Sequence, residues 1–209
     1  MAKIGTDILH AAALLKAGKL VAVPTDTVYG LAGHAQKTES LQEIFHVKQR
    51  PQDKPLIAQV DHIDKAMGFV KNIPNNARML AEKYWPGALT LIFEATNEVS
   101  PVMLSGGTTM GLRVPDHDMT LELLKQLDFP LAVTSANLSG HHSPTTAQEV
   151  NEQIGDHIEY ILDGGPSTIG LESTIVGFEN KMPVIFRKGA ISEEEILATL
   201  NLKLSKKEN

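Results

Sequence analysis

The feature that most constrains the fold of this chain is a set of short apolar runs that stop at clusters of polar residues. Residues 20–23 are Leu, Val, Ala and Val, and Pro24 ends this run, which predicts a strand buried on both faces. Polar residues at 25–27 follow it, and the run 131–134 likewise leads to Ser135. Ligands of open α/β sheets bind at the carboxyl ends of strands, so these residues are candidates for a site. The alternative is that they cap turns.

Helical patterns alternate with the apolar runs and predict an α/β protein. The last two predicted strands leave little room for a helix between them, so the sheet must be mixed, with antiparallel pairs towards the end of the chain. We expect a mixed parallel and antiparallel open sheet flanked by helices, in a single domain over residues 1–209 with a frayed tail from about 203. Helices are predicted at about 6–18, 41–48, 75–84, 121–127, 146–154 and 192–200, and further strands at 56–60, 88–93, 111–114, 158–162, 172–176 and 184–187.

Composition excludes several classes of protein. The formal net charge of −6 argues against a protein that coats nucleic acid, although a local basic cleft is compatible with it. The chain has no cysteine, which excludes disulfides and thiolate chemistry and suits a reducing cytosol. The sequence shows neither a signal peptide nor an apolar run of membrane-spanning length. We therefore expect a cytoplasmic protein without a membrane partner.

Residues 48–56, here called the cationic turn, concentrate positive charge in an acidic chain. Lys48 continues the apolar stripe of the helix before it, so its side chain is expected to point inwards. Pro51 and Pro55 stiffen the turn and hold Arg50 and Lys54 out of helical geometry. Arginine and lysine side chains suit phosphate or carboxylate oxygens, so the turn predicts an anion-binding cradle. A solvated helix end whose cations complement the helix dipole is the alternative.

Arg113 interrupts an apolar strand, and a cation in that position needs an anionic partner. That partner is either a ligand or a buried carboxylate of the protein. The small residues of the loop 105–109 would let backbone N–H and hydroxyl groups come close to an anion. The same composition is also typical of a hairpin loop without a ligand. His141 and His142 do not predict a metal site, because adjacent side chains point apart and no carboxylate spacing supports them.

The common nucleotide and hydrolase motifs are missing from the sequence. It contains no phosphate-binding P-loop, no dinucleotide fingerprint, no nucleophile elbow and no zincin motif. What remains is a set of hydroxyl, amide and cationic side chains at successive strand ends, without an evident nucleophile. Such a set suits the binding of two anionic reactants that react with each other, as in phosphoryl or nucleotidyl transfer.

Six segments, in order over nearly the whole chain, resemble the YrdC/TsaC family of threonylcarbamoyl-AMP synthases. The ordered set carries the resemblance rather than any single motif. The segments are PTDTVYGL at 24–31, KQRP at 48–51 with KPL at 54–56, WPGALT at 85–90, GLRVP at 111–115, SANLSG at 135–140 and ESTIV at 172–176.

The resemblance implies a twisted sheet with a cationic concave face and a specific reaction. L-threonine, bicarbonate and ATP would give threonylcarbamoyl-AMP and pyrophosphate, with Mg²⁺ sharing the phosphate charge without dedicated protein ligands. A partner complex would then transfer the threonylcarbamoyl group to tRNA, and contact with tRNA or double-stranded RNA is expected. The chain ends soon after its last predicted helix, so the resemblance is to the single-domain form.

The resemblance also assigns residues. Thr27, Arg113 and Ser173 would contact threonine, with Arg113 pairing its carboxylate. Lys48, Arg50 and Lys54 would hold the triphosphate and act as the catalytic cations. The nucleotide site would be completed by Thr109, Ser135, Asn137, Ser143 and Arg187.

Two positions depart from the family pattern, and one rival function stays open. Asp26 stands where many relatives carry Glu, and Gln59 where some carry His, so neither is assigned a role.

The rival function is that of an RNA-binding or ribosome-maturation factor that uses the same cationic hollow without catalysis. Its affinity for RNA would fall steeply as the salt concentration rises.

Overall fold

Ten strands form one twisted sheet in the computed structural model, which describes residues 1–202. The predicted frayed tail from about 203 lies outside the described residues. The strands are β1 (Lys3–Gly5), β2 (Val21–Val23), β3 (Gly30–His34), β4 (Ile57–Gln59), β5 (Leu89–Glu94), β6 (Thr109–Arg113), β7 (Leu131–Ser135), β8 (Tyr160–Leu162), β9 (Thr174–Glu179) and β10 (Met182–Arg187). Their order across the sheet is β1-β8-β2-β3-β7-β4-β6-β5-β9-β10.

The sheet is mixed, as the sequence predicts. Parallel pairs are β1–β8, β2–β8, β4–β6 and β5–β9. Antiparallel pairs are β2–β3, β3–β7, β4–β7, β5–β6 and β9–β10. The β9–β10 pair confirms the antiparallel pairing expected towards the end of the chain, and further antiparallel pairs occupy the centre of the sheet. The sequence reading also missed β1 and β3, because β1 is only three residues long and β3 contains two glycines.

Within the described part of the chain, six α-helices flank the sheet: α1 (Ile8–Lys16), α2 (Thr38–Lys48), α3 (Asn75–Tyr84), α4 (Asp118–Lys125), α5 (Ala147–Ile154) and α6 (Glu193–Thr199). Helix α3 has the predicted bounds, and Ser192 and Glu195 form the predicted capping box before α6. Helix α1 is capped by Asp7 rather than by Thr6, because the Asp7 carboxylate accepts the backbone N–H of His10 at 2.9 Å. None of the described helices is both long enough and apolar enough to cross a bilayer.

The two faces of the sheet are covered unequally. One face carries a large apolar core shared with α2, α3, α5 and α6. On the other face, α1 and α4 pack over the half that contains β8, β2, β3 and β7 through a second core. That core contains no residue of β4, β5, β6, β9 or β10. The half of the second face that these five strands form is left open, and it becomes the floor of a cavity.

Candidate functional site

A cavity of about 600 Å³ opens on the half of the sheet that α1 and α4 leave uncovered. Small and apolar residues of neighbouring strands form its floor, because the pleat brings register partners to the same side. Ile57 pairs with Gly111, Gly111 pairs with Ile92, and Ile175 pairs with Arg187, and all of these line the cavity. Four cationic side chains and two carboxylates also line it, namely Arg50, Lys54, Arg113, Arg187, Asp53 and Glu172.

Arg113 lies at the carboxyl end of β6 and already has a carboxylate partner in the protein. It forms a buried ion pair with Asp26 at 2.5 Å, and the two side chains are 5% and 6% exposed. It also donates to Thr27 Oγ1 at 2.8 Å and to the Gly87 carbonyl at 2.9 Å. Burial lowers the pKa of Arg113, and the charge of Asp26 opposes that shift. Of the two partners that the sequence left open for Arg113, the structure shows the buried carboxylate of the protein.

Arg187 and Ser173 form a second polar group that lines the cavity. Arg187 donates to Glu172 Oε2 at 2.5 Å, to the Ser173 carbonyl at 3.1 Å and to Ser173 Oγ at 3.0 Å. Ser173 Oγ is also within 2.8 Å of Thr90 Oγ1, so the hydroxyl is fixed from two sides. Burial lowers the pKa of Arg187, while Glu172 acts in the opposite direction. This wall offers a cation, a hydroxyl and a carboxylate in contact.

The cationic turn contributes Arg50 and Lys54 to the rim. Arg50 donates to the carbonyls of Lys54 and Pro55, both at 3.1 Å, so its guanidinium braces the turn on which it lies. Burial lowers the pKa of Arg50, with Glu172 raising it and Arg187 lowering it further. Within residues 1–202, the ammonium of Lys54 has no hydrogen bond or ion pair, although hydrogen bonds and ion pairs are found for its neighbours. Lys54 is thus the cation best placed to meet an incoming anion.

Lys48 does not line the cavity. Its side chain is 1% exposed, and its ammonium donates to the carbonyls of Ser135 and Asn137 and, at 3.2 Å, to Asn137 Oδ1. Burial, aided by the charge of Arg50 and opposed by that of Glu172, lowers the pKa of Lys48 to about 7. The inward direction predicted from the helical stripe is confirmed. Direct contact of Lys48 with a triphosphate has no support in this geometry, because backbone and amide oxygens take up its donors.

The remaining predicted residues divide into two groups. Thr27, Arg50, Lys54, Arg113, Ser135, Ser173 and Arg187 line the cavity together, whereas Lys48, Thr109, Asn137 and Ser143 do not. Asn137 donates to the carbonyls of Leu138 and His141, both at 2.8 Å, and so shapes its own loop. Ser143 donates to Glu172 Oε1 at 3.0 Å, which places it behind the Arg187 group. Thr109 is exposed at the start of β6.

The sequence reading left out three residues that belong to this site. Asp26 holds Arg113, and Glu172 joins Arg187 to Ser143. Gln59 lines the cavity, is buried, and has an Oε1 atom without a partner among the described residues. The sequence carries the same signal for Gln59 as for Arg113, because Gln59 is also a polar residue within an apolar strand. Nothing in the sequence identifies which of its 25 acidic residues pairs with Arg113.

The described residues contain no group of three or more His, Cys, Asp or Glu side chains that could hold a metal ion. Asp53 and Glu172 are the carboxylates on the cavity wall, and Glu172 is engaged with Arg187. A magnesium ion commonly binds through one or two carboxylates and the phosphates of its substrate. The wall therefore fits a metal carried by a nucleotide rather than one held by the protein alone.

Comparison with known proteins identifies the chain's relatives. The Sua5_yciO_yrdC family model, described as "Telomere recombination", matches residues 13–189. The threonylcarbamoyl-AMP synthase of Bacillus subtilis is 41% identical over 195 residues, which are 93% of this chain and 56% of that protein. A putative threonylcarbamoyl-AMP synthase of Mycobacterium tuberculosis H37Rv is 36% identical over 93% of this chain and 89% of that protein.

A solved structure shares the fold closely. The structure of Pyrococcus abyssi Sua5 complexed with L-threonine superposes with a TM-score of 0.91 at 38% identity. The match covers 96% of this chain and 61% of the Pyrococcus chain. This chain therefore spans a little over half the length of the Bacillus and Pyrococcus proteins that it matches.

Proposed function

The chain belongs to the Sua5/YciO/YrdC family, and from this premise we propose that it is a threonylcarbamoyl-AMP synthase. The reaction condenses L-threonine, bicarbonate and ATP into threonylcarbamoyl-AMP and pyrophosphate. The observation that supports it best is that Arg113 lines the same cavity as Arg50, Lys54 and Arg187, although these residues come from distant parts of the chain. One cavity thus offers cations for both a carboxylate and a triphosphate.

Threonine would bind among Arg113, Thr27 and Ser173, which line the same cavity. Three of the five N–H groups of Arg113 are directed at Gly87, Thr27 and Asp26, and two are left for a carboxylate. Asp26 fixes the plane of the guanidinium before a ligand arrives, so less entropy is lost on binding. We assign Arg113 to the threonine carboxylate on this basis.

The triphosphate would lie between the cationic turn and Arg187. Carbamate oxygen would attack the α-phosphorus as pyrophosphate leaves, and the cations would stabilise the developing charge. Lys54 and Arg50 approach from one wall and Arg187 from another. Magnesium bound with ATP would neutralise further phosphate charge, with Asp53 the wall carboxylate free to approach it. Lys48 would act indirectly, by fixing the loop that carries Ser135.

The product would supply a threonylcarbamoyl-transfer complex that modifies tRNA, and the proposal includes action in the cytoplasm. Contact with that RNA is part of the same proposal. The names of the relatives and the threonine complex of the Pyrococcus protein support the choice of substrates.

The test is pyrophosphate release from ATP that depends on both threonine and bicarbonate. Lys54→Ala should lower the turnover by about a hundredfold, since removing one stabilising donor from an active site has an effect of that size. Lys16→Ala is the matched control, because Lys16 is an exposed lysine on α1 and lies outside the cavity. Unchanged turnover in Lys54→Ala, or release that needs no threonine, would refute the proposal.

A further inference from the structure

Two buried hydroxyl groups from neighbouring strands contact each other at the edge of the cavity. Thr90 lies on β5, which pairs with β9 in parallel, and Ser173 immediately precedes β9. Their oxygen atoms, Thr90 Oγ1 and Ser173 Oγ, are 2.8 Å apart, and the distance fits either hydroxyl as the donor. Ser173 lines the cavity, whereas Thr90 does not. Which of the two hydroxyls donates therefore decides what Ser173 offers to a ligand.

The surroundings of Thr90 identify it as the donor. Its side chain is 0% exposed, and Ser173 Oγ is its only side-chain hydrogen-bond partner within residues 1–202. If Ser173 donated, the Thr90 proton would be buried without an acceptor, and a buried donor without a partner is costly. If Thr90 donates, the free proton lies on Ser173, where the cavity can supply an acceptor. The second arrangement is therefore the more stable one.

Arg187 completes the hydrogen bonding of Ser173. Its Nη2 atom donates to Ser173 Oγ at 3.0 Å. A serine hydroxyl has two acceptor lone pairs and one proton. Because Arg187 and Thr90 both donate to it, both lone pairs are occupied and only the proton is left. Among the residues that the structure describes, no acceptor for this proton is found. Ser173 thus presents a donor to the cavity, and the hydrogen bonds it accepts strengthen that donor.

We propose that Thr90 is a positioning residue that makes the Ser173 hydroxyl a dedicated hydrogen-bond donor to an oxygen atom of the bound substrate. This inference rests on the proposed function, in which Ser173 contacts the substrate in the cavity. The acceptor is an anionic oxygen, and both threonine and the phosphates of ATP carry such atoms. Thr90 itself touches neither substrate, because it is fully buried and acts through Ser173.

The test compares Thr90→Val, which removes the hydroxyl and keeps the shape of the side chain, with Thr90→Ser, which keeps the hydroxyl. Pyrophosphate release is measured on the full chain, and the KM values for threonine and for ATP are determined separately. Thr90→Val should raise one of these KM values about fivefold, the effect of losing one hydrogen bond. Thr90→Ser should stay close to the wild type. A rise for threonine assigns the acceptor oxygen to threonine, and a rise for ATP assigns it to a phosphate.

A double-mutant cycle with Ser173→Ala separates positioning from a general effect on packing. If Thr90 acts through Ser173, Thr90→Val should change the KM by less than about 1.5-fold in the Ser173→Ala background, because the hydroxyl that Thr90 orients is absent. Thr96→Val is the matched control. The Thr96 hydroxyl also donates a hydrogen bond, to the Gly68 carbonyl at 2.8 Å, and Thr96 lies outside the cavity. This control should keep both KM values.

The outcomes separate this inference from the proposed function. Unchanged KM values in Thr90→Val, beside an active wild type, would overturn the role of Thr90 and leave the synthase proposal intact. Equal effects of Thr90→Val in the wild-type and Ser173→Ala backgrounds would also overturn it, because Thr90 would then act through packing. The same holds for equal effects of Thr90→Ser and Thr90→Val. Wild-type protein that releases no pyrophosphate in response to threonine would overturn the proposed function and the inference together.

Discussion

Arg113 and Arg187 are each paired with a carboxylate, but in two different environments. Arg113 is almost fully buried, and Asp26 balances its charge there. Arg187 and its partner Glu172 are each about one third exposed, at 34% and 35%. A buried charge without a partner is very costly, whereas a partly hydrated one tolerates the loss better. The two arginines are therefore expected to respond differently when their carboxylates are neutralised.

Asp26→Asn should lower the free energy of unfolding by about 3 kcal/mol, because it leaves the Arg113 guanidinium buried without a counter-charge. Urea denaturation at pH 7 measures the change. Asp53→Asn is the matched control, since Asp53 is an exposed carboxylate on the same cavity. That control should stay within about 0.5 kcal/mol of the wild type. Equal stabilities for Asp26→Asn and the wild type would show that Asp26 does not support Arg113.

At the scale of elements, Lys48 joins the end of α2 to the loop after β7. Its ammonium binds the carbonyls of Ser135 and Asn137, and its own carbonyl accepts the Ser139 N–H at 2.9 Å. Lys48 therefore both donates to the loop after β7 and accepts from it. These hydrogen bonds fix the point at which the cationic turn begins. This link explains why a lysine continues an otherwise apolar helical stripe.

The lowered pKa of Lys48 predicts how this link depends on pH. Burial brings the pKa to about 7 from an ordinary value of 10.5. Between these values the unfolded chain binds a proton that the folded protein has lost, so stability rises with pH. The difference between the unfolding free energies of the wild type and Lys48→Met should therefore shift in favour of the wild type as the pH rises above 7. The expected shift is up to about 1.4 kcal/mol per pH unit. Urea titrations at pH 7.5, 8.5 and 9.5 test this, and parallel curves for the two proteins would contradict it.

Elements with strong local signals were predictable from the sequence. Helix α3 and the capping box of α6 follow from apolar periodicity and capping residues, and the structure has them where they were predicted. Strand β3 was missed because its sequence, Gly30 to His34, lacks β-branched residues, and pairing with β2 and β7 overrides that weak propensity.

The sequence predicts which types of residue form the site better than it predicts which of them contact each other. The inward direction of Lys48 follows from helical spacing, but its acceptors lie 87 and 89 residues away in sequence. The need of Arg113 for an anion was visible, whereas its pairing with Asp26 depends on how β6 and the end of β2 meet in space. Seven of the eleven predicted site residues do line one cavity, namely Thr27, Arg50, Lys54, Arg113, Ser135, Ser173 and Arg187.

At the scale of the whole molecule, the cavity exists because two helices cover only half of one face of a ten-stranded sheet. The uncovered half presents mainly small and apolar floor residues, and the cations stand on its walls. A chain of net charge −6 thereby gathers four cationic side chains around one hollow. Burial of the guanidinium groups in that hollow favours a small ligand that enters it over an extended polyanion that lies on the surface.

Threonine and a non-hydrolysable ATP analogue should therefore bind together and stabilise the protein additively. A ligand at one hundred times its dissociation constant raises the free energy of unfolding by about 2.7 kcal/mol, so the two together should give about twice that. Chemical denaturation with each ligand and with both measures the effect, and a short RNA duplex at matched phosphate concentration serves as the comparison. Joint stabilisation no greater than that of the better single ligand would mean that the two compete for one position. Stabilisation by the duplex alone, lost as salt is raised, would instead favour an RNA-binding protein, because counterion release makes such binding strongly salt-dependent.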